Sequence, residues 1–550
     1  MKKKVLSFLI LYLTLSTSYS QNENFEIQKL ALLCKTWGFL KYYHPNVAGG
    51  QHDWDKELIK IIPTIKKASD KSEVSSSLTD WIKDLGEIKS YTDDKKEDSL
   101  KYFYQNLDFR WINDTVKLNN NLINKLNFIK DNCFKGEQHY ISTTKVGKFT
   151  VINEKEYDKE LLKNEQYRLL SLFRYWNIIQ YFYPNKYLLD EKWDNVLFEM
   201  IPKFINSKDI TSYKKIIQEL VAKVDDSHAW VDIKEERKWL PARFLNIDGK
   251  VVVSGFFNDS LALDKAGLQL GDIILKANNI DIGTLIKKHV HYVPGSNLNI
   301  KLSSTYVRMF SGEKDSIEIT LNRNGKIFNK TFKRYSLDKL SNSTSKKVKV
   351  KTINEKIGYI DLTKIKPVEV PGIFEKFHNY KAIIIDVRGY PNFAFKKISE
   401  YLNSEKRKFA RAIQPDLSYP GRFIWDDNKQ MTTRSKKKKA FKGLTVILVN
   451  NKTISLGEYA VMSLQTADNA ITIGNQTAGA DGEVTTFHFI GDYKTAVSGR
   501  AYFYPDGTQT QRKGIKIDLV LSPTIKGLLS NKDEILDRAI EYIEQVLNTQ

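Results

Sequence analysis

The 550-residue chain has only two cysteines, Cys34 and Cys133. A single disulfide is open to them in an oxidising compartment, but two cysteines make no disulfide framework, so the fold must be held by a hydrophobic core. Cys34 lies inside a helical apolar pattern and also reads as a core residue. Beyond the first 20 residues no run approaches the roughly 18 consecutive apolar residues that a membrane-spanning helix needs. No cysteine follows the N-terminal apolar stretch, which excludes lipid attachment there. No nucleic-acid-binding motif accompanies the formal net charge of +21. The lysines are scattered and often alternate with Asp and Glu, and the densest run, Lys436–Lys439, reads as a surface loop. The charge therefore reads as solvation, with binding to an anionic envelope polymer as a weaker alternative.

Hydrophobic residues make up 41% of the chain and aromatic residues 12%, the composition of a globular protein. At this length a single core is excluded and several domains are expected. Residues 1–20 read as a secretory signal: Lys2-Lys3-Lys4, the apolar Val5–Leu15, then small and polar residues up to Ser20. Export to the periplasm or the extracellular space is the expectation.

Two stretches repeat at a constant offset of 139 residues. Trp37, Pro45, Trp54 and Pro63 of the first fall opposite Trp176, Pro184, Trp193 and Pro202 of the second. Each reads as an aromatic-rich helix, a turn and two more helices, with the aromatics in the core. The first region spans 21–160 and the second 161–239. The copies part at their ends, where Lys89 falls opposite His228. Only the second copy carries Asp225-Asp226-Ser227-His228, ahead of a strand-like Ala229–Ile233, which makes His228 a candidate functional histidine. Between the copies, Leu100–Val151 reads as strands covering the helices.

Residues 240–335 change to a β pattern, with strands at Lys250–Ser254 and Ser316–Arg323 and the segment Ala266-Gly267-Leu268-Gln269-Leu270-Gly271-Asp272-Ile273-Ile274. His289–Met309 is an insert before the closing strand. Tyr335–Lys351 reads as a polar linker, so 336–351 separates this domain from residues 352–550. That last region alternates strand and helix, which argues for a mostly parallel sheet with its site at the strand ends.

Within it, Thr445–Val449 reads as a buried strand and the helical pattern starts at Ser455. Ser455 has two readings. In the first, Ser455 or Thr453 is simply the N-cap of that helix, with Glu458 completing a capping box. In the second, Ser455 is a nucleophile held at a strand-to-helix elbow beside unpaired helix N–H groups. A second strand, Ala382–Val387, ends in Asp386-Val387-Arg388-Gly389 and can aim a backbone N–H into the same site.

The PDZ-type Ala-Gly-Leu-x-x-Gly-Asp-x-Ile segment, the Asp-x-Arg-Gly strand end, the Thr-x-Ser-x-Gly-Glu elbow, the Gly-x-x-Thr-x-Gly loop and the Gly-Ile-x-x-Asp segment occur in that order. Together they resemble the tail-specific (C-terminal-processing) serine peptidase family. The resemblance covers roughly Glu165 to the C-terminus and implies a PDZ-like β domain able to bind peptide and an α/β, crotonase-like peptidase core, which follow the duplicated helical N-terminal region read from the repeat. Where one branch of the family carries a lysine base, this chain has Ala480. The tricorn and retinoid-binding-repeat branch instead uses a histidine preceded by serine, matched by Ser227-His228.

The resemblance implies Ser455 as nucleophile, His228 as base and Ser227 as an orienting hydroxyl, with the N–H groups of Gly389 and Leu456 holding the oxyanion. The family's acidic position falls on Gln511, which leaves Glu483 and Asp481 as candidate acids. Pro391, lacking an N–H, limits the donors after Gly389. No metal or cofactor is implied. The partner is a peptide or protein substrate, with an unfolded or C-terminal segment cleaved by an exported endopeptidase. A catalytically weak or inactive protein that binds peptides or apolar ligands on the same fold is the alternative.

Overall fold

The computed structural model describes residues 24–90, 99–257, 267–341, 348–427, 431–436 and 440–549. The N-terminal stretch read as a secretory signal, Ala266 and Lys437–Lys439 lie outside them. Among the described residues no helix is long and apolar enough to cross a membrane. The chain forms two compact units. The first contains the described residues up to Leu220 together with 413–425 and 484–500, and the second the other described residues.

In the first unit the long helices are residues 24–43 and Glu165–Phe182. Each is followed by a helix with an internal proline, Trp54–Lys67 and Trp193–Asn206. Both copies contain the same reciprocal tryptophan pair. Trp37 and Trp54 donate their indole N–H groups to each other's carbonyls at 3.1 and 3.0 Å, and Trp176 and Trp193 do so at 2.9 and 3.0 Å. Both ring pairs stack with centroids 6.4 Å apart. The indoles thus bury large apolar area and leave no orphaned donor, which is why a tryptophan recurs at each position. The two long helices cross at equivalent places. A Cβ on Gly38 would meet the Asn177 side chain at 1.8 Å, and the Asn177 amide donates to the Cys34 carbonyl at 3.1 Å. Glycine in one copy makes room for asparagine in the other. Cys34 and Cys133 are both buried free thiols.

Leu100–Val151 differs from the sequence expectation. Its strands are short, at Tyr102–Phe103, Ile141–Thr143 and Phe149–Val151, and its centre is a helix, Asn120–Asp131. Leu122, Leu126 and Ile129 are buried at helical spacing, and Asn119 caps the start by accepting from the Leu122 N–H at 2.9 Å.

In the second unit, residues 242–333 form an antiparallel sheet in the order Lys326–Lys333, Ser316–Arg323, Ile273–Ala277, Lys250–Phe256, Ala242–Ile247. The buried Asp272 carboxylate is gripped by Arg323 at 2.7 Å on each oxygen. The 289–309 insert contains the helix Leu298–Phe310, whose Tyr306, Met309 and Phe310 pack into this domain's core. The segment read as a linker is partly structured. Leu337–Ser341 is helical, and the strand Val350–Asn354 begins inside it.

The other sheet runs Val350–Asn354, Ile357–Asp361, Ala382–Asp386, Leu444–Val449, Ala470–Gly474, Leu519–Val520, parallel after its first strand. Its strands read as unbroken apolar runs because both faces are covered. Ile383, Ile385, Ile447 and Val449 face the helices Val370–Lys376, Ala394–Leu402 and Leu456–Leu464. Ile384, Val446 and Leu448 face Ile535, Ala539 and Ile543 of the helix Glu534–Asn548.

His44, opposite Tyr183 in the repeat, is fully buried in the first unit with neither ring nitrogen hydrogen-bonded to a described residue. Burial, with His52 and Lys125 adding to it, pushes its pKa down to about 4. The unfolded chain therefore takes up a proton near pH 6.5 that the folded chain refuses, and stability falls as the pH drops from 6.5 towards 4. Replacing His44 with Leu is expected to remove about 3 kcal/mol of that fall, measured as urea midpoints across this pH range.

Candidate active site

Ser455 stands between the strand Leu444–Val449 and the helix Leu456–Leu464 with φ 56° and ψ −121°. This left-handed conformation costs a non-glycine residue about 1–3 kcal/mol and persists only where its surroundings fix it. Here the Ser455 N–H donates to the Ala480 carbonyl at 2.9 Å, and its carbonyl accepts from Tyr459 N–H at 3.1 Å. The Thr453 hydroxyl donates to the Val387 carbonyl at 2.8 Å, tying the elbow to the end of the neighbouring strand. The Ser455 hydroxyl caps no helix N–H, which removes the N-cap reading. Its half-buried side chain is left for other work.

Glu458 does not simply close a capping box either. Its fully buried carboxylate accepts from the Thr477 hydroxyl at 2.5 Å, Gly479 N–H at 2.8 Å and Ala480 N–H at 2.9 Å. Burial raises its pKa to about 7, against the downward pull of these donors and of the Ser455 N–H. Gly479 is required in this loop. Its φ is 65°, and a Cβ there would lie 2.8 Å from the Arg512 carbonyl carbon. Ala480, at the place of the family's lysine, is fully buried.

The same loop receives the other candidates. The Ser227 hydroxyl donates to the Ala478 carbonyl at 3.2 Å, two residues from the carbonyl that holds Ser455. Asp226, fully buried, accepts the His228 backbone N–H at 3.0 Å. His228 is itself buried. Burial lowers its pKa, while the charges of Asp226 first and Glu483 second raise it. Gln511 donates its amide to Asp226 Oδ1 at 3.3 Å, so it steadies a carboxylate rather than supplying one. Glu483 accepts from Tyr502 at 2.9 Å, and its buried Oε2 has no hydrogen-bond partner among the described residues. Asp481 is buried beside Glu458 and Glu483. Burial, and then their charges, hold its carboxyl pKa well above the usual range.

The Gly389 turn follows the strand Ala382–Asp386, which pairs in parallel with the elbow strand. Pro391 Cδ lies 3.6 Å from where a Cβ of Gly457 would stand, so this turn borders the first helical turn after Ser455. Among the described residues the N–H groups of Gly389 and Leu456 donate no hydrogen bond. The strand end is held by Arg388, which donates to both Asp386 oxygens at 3.0 and 2.7 Å.

The structure thus anchors the Ser455 backbone and the Ser227 hydroxyl on the carbonyls of one loop and sets Gln511 beside Asp226. Sequence reasoning left Asp226 without a role, although its place two residues before His228 was a usable signal. Glu458 was read only as a cap.

Residues 356–521 match the family model "Peptidase family S41". The chain carries a peptidase family S41 domain. By that family it is a serine-type peptidase, and the matched segment includes Gly389, Ser455, Leu456, Glu483 and Gln511. Among solved structures, mature CPAF complexed with lactacystin is similar with a TM-score of 0.56 at 13% identity, covering 70% of this chain and 99% of that one. This likeness concerns the fold. The photosystem II D1 C-terminal processing protease (TM-score 0.39, 15% identity, 67% and 97% coverage) and tricorn protease (0.34, 16%, 69% and 37%) are more distant neighbours. No curated protein sequence matches the chain.

The buried Glu458 gives the S41 domain a testable pH signature. Its folded pKa lies above the unfolded value near 4.5, so its contribution to stability is present below pH 4.5 and is lost as the pH rises through 7. Glu458→Gln is expected to abolish this share of the pH slope, read as urea midpoints at pH 5 and pH 8 in the two proteins.

Proposed function

We propose that the chain is an exported endopeptidase of the periplasm or extracellular space that hydrolyses unfolded or C-terminal peptide segments, with Ser455 as nucleophile and His228 as general base. The observation that carries this reading is the strained Ser455 backbone, with a hydroxyl that caps nothing, held by the loop that also anchors Ser227.

In the proposed reaction His228 takes the Ser455 proton as Oγ attacks the scissile carbonyl. The N–H groups of Gly389 and Leu456 receive the oxyanion. The imidazolium returns the proton to the leaving amine, and water then cleaves the acyl-serine by the same path. Burial keeps His228 neutral, and so able to accept a proton, below its ordinary titration range. Asp226 and Glu483 stabilise the imidazolium once it forms, which gives the site carboxylates although the family's acidic position carries Gln511. The β domain of residues 240–335 serves as the module that holds the substrate segment.

A fluorophosphonate probe is expected to label wild-type protein at Ser455 alone, with no adduct in Ser455→Ala and a rate at least about 100-fold lower in His228→Ala. Binding of an unfolded substrate without turnover or labelling would instead establish the peptide-binding alternative. Asp226→Asn is expected to slow labelling and to move the acid limb of its pH profile to lower pH, because a charge that raises the His228 pKa has been removed. Gln511→Glu, which adds a carboxylate beside Asp226, is expected to move that limb upward.

A further inference from the structure

The insert of the β domain reaches the residue before the proposed base through Ser296. Ser296 is fully buried just ahead of the helix Leu298–Phe310. It forms a reciprocal pair with Ser227. The Ser227 N–H donates to Ser296 Oγ at 2.8 Å, and the Ser296 N–H donates to Ser227 Oγ at 2.9 Å. Ser296 Oγ also accepts from the Gln511 amide at 3.3 Å, the group that steadies Asp226. One hydroxyl therefore touches both the residue before His228 and the residue that holds its nearest carboxylate.

The segment carrying Ser296 is itself fixed. Asn297 accepts the Ile300 N–H at 3.1 Å as helix cap, while its amide donates to the Thr477 and Ala478 carbonyls at 2.9 and 3.2 Å. Behind it, Phe310 packs at a tilt against Phe244 in the β-domain core, with centroids 4.6 Å apart. Ser296 thus has a rigid support on the β domain.

We propose that Ser296 is a positioning residue for His228: it locks the Ser227-His228 turn and, through Gln511, the Asp226 carboxylate, so that the β domain sets the geometry of the base. The inference rests on the reading of Ser455 and His228 given above. A bare stabilising role would predict lost folded protein with unaltered chemistry per folded molecule. A positioning role predicts slower chemistry in folded protein and an altered titration of the base.

The experiment uses the full chain and follows fluorophosphonate labelling of Ser455 against pH in wild type, Ser296→Ala, Ser296→Thr and His228→Ala, with thermal melting to count folded protein. Folded Ser296→Ala is expected to label about tenfold more slowly or worse. Its half-maximal pH should be displaced by more than about half a unit. Ser296→Thr, which keeps the hydroxyl, is expected to recover most of the rate. Wild-type rate and pH profile in Ser296→Ala overturn the proposal while leaving the Ser455–His228 reading intact. A rate loss that only tracks lost folded protein also overturns it. Wild-type protein that does not label, or His228→Ala that labels like wild type, overturns the underlying reading and this inference with it.

Discussion

The candidate site depends on one buried carboxylate. Glu458, fully enclosed at the start of the elbow helix, accepts the Thr477 hydroxyl and the Gly479 and Ala480 N–H groups. A carboxylate taken out of water must find such donors or give up its charge. Here the donors come from a loop 19–22 residues further along the chain, so satisfying Glu458 fixes where that loop lies. The loop's carbonyls then become fixed acceptors. Ala480 takes the Ser455 N–H, and Ala478 takes the Ser227 hydroxyl and the Asn297 amide. The strain at Ser455 is affordable because these bonds over-determine its backbone.

A second layer of polar burial surrounds His228. Desolvation holds the imidazole neutral, and Asp226 and Glu483 act in the opposite direction. Gln511 at the family's acidic position makes sense in this setting. Its amide can donate to Asp226 and to Ser296 at once, whereas a second carboxylate there would face Asp226 with like charge. Asp226 and Glu483 supply the negative charge that acts on the histidine. Asp225 is held apart from this group by Arg512 at 3.2 Å and Lys301 at 3.6 Å.

The two units use burial differently. In the first, aromatic pairs with satisfied indole N–H groups carry the packing. Buried ions are kept in a closed set, with Arg174 paired to Asp55 and Glu154, and Glu154 also paired to Lys41. In the S41 domain the packing is aliphatic and two-sided, and the polar groups gather at the carboxyl ends of the parallel strands.

The sequence by itself determined the main elements of the repeats and of the parallel sheet. The apolar runs at Ala382–Asp386 and Leu444–Val449, the tryptophan spacing of the repeats and the strand-to-helix change at Ser455 were all legible, because periodicity and β-branching act locally. It also singled out Ser227-His228 through the difference between two copies, and Gly389 through its place at a strand end. It misread Leu100–Val151, where short apolar alternation masked a helical spacing, and Tyr335–Lys351, where polar composition hid a helix and the start of an edge strand. Only the tertiary structure decided whether Ser455 is a cap, what Glu458 binds, and that Ser296 and Asp226 belong to the same cluster. Those answers depend on which buried donors meet which acceptors across 19 to 285 residues of chain. Hydrogen-bond pairing at that separation leaves no periodic trace, since a buried serine or glutamate reads like any other until its partner is in place.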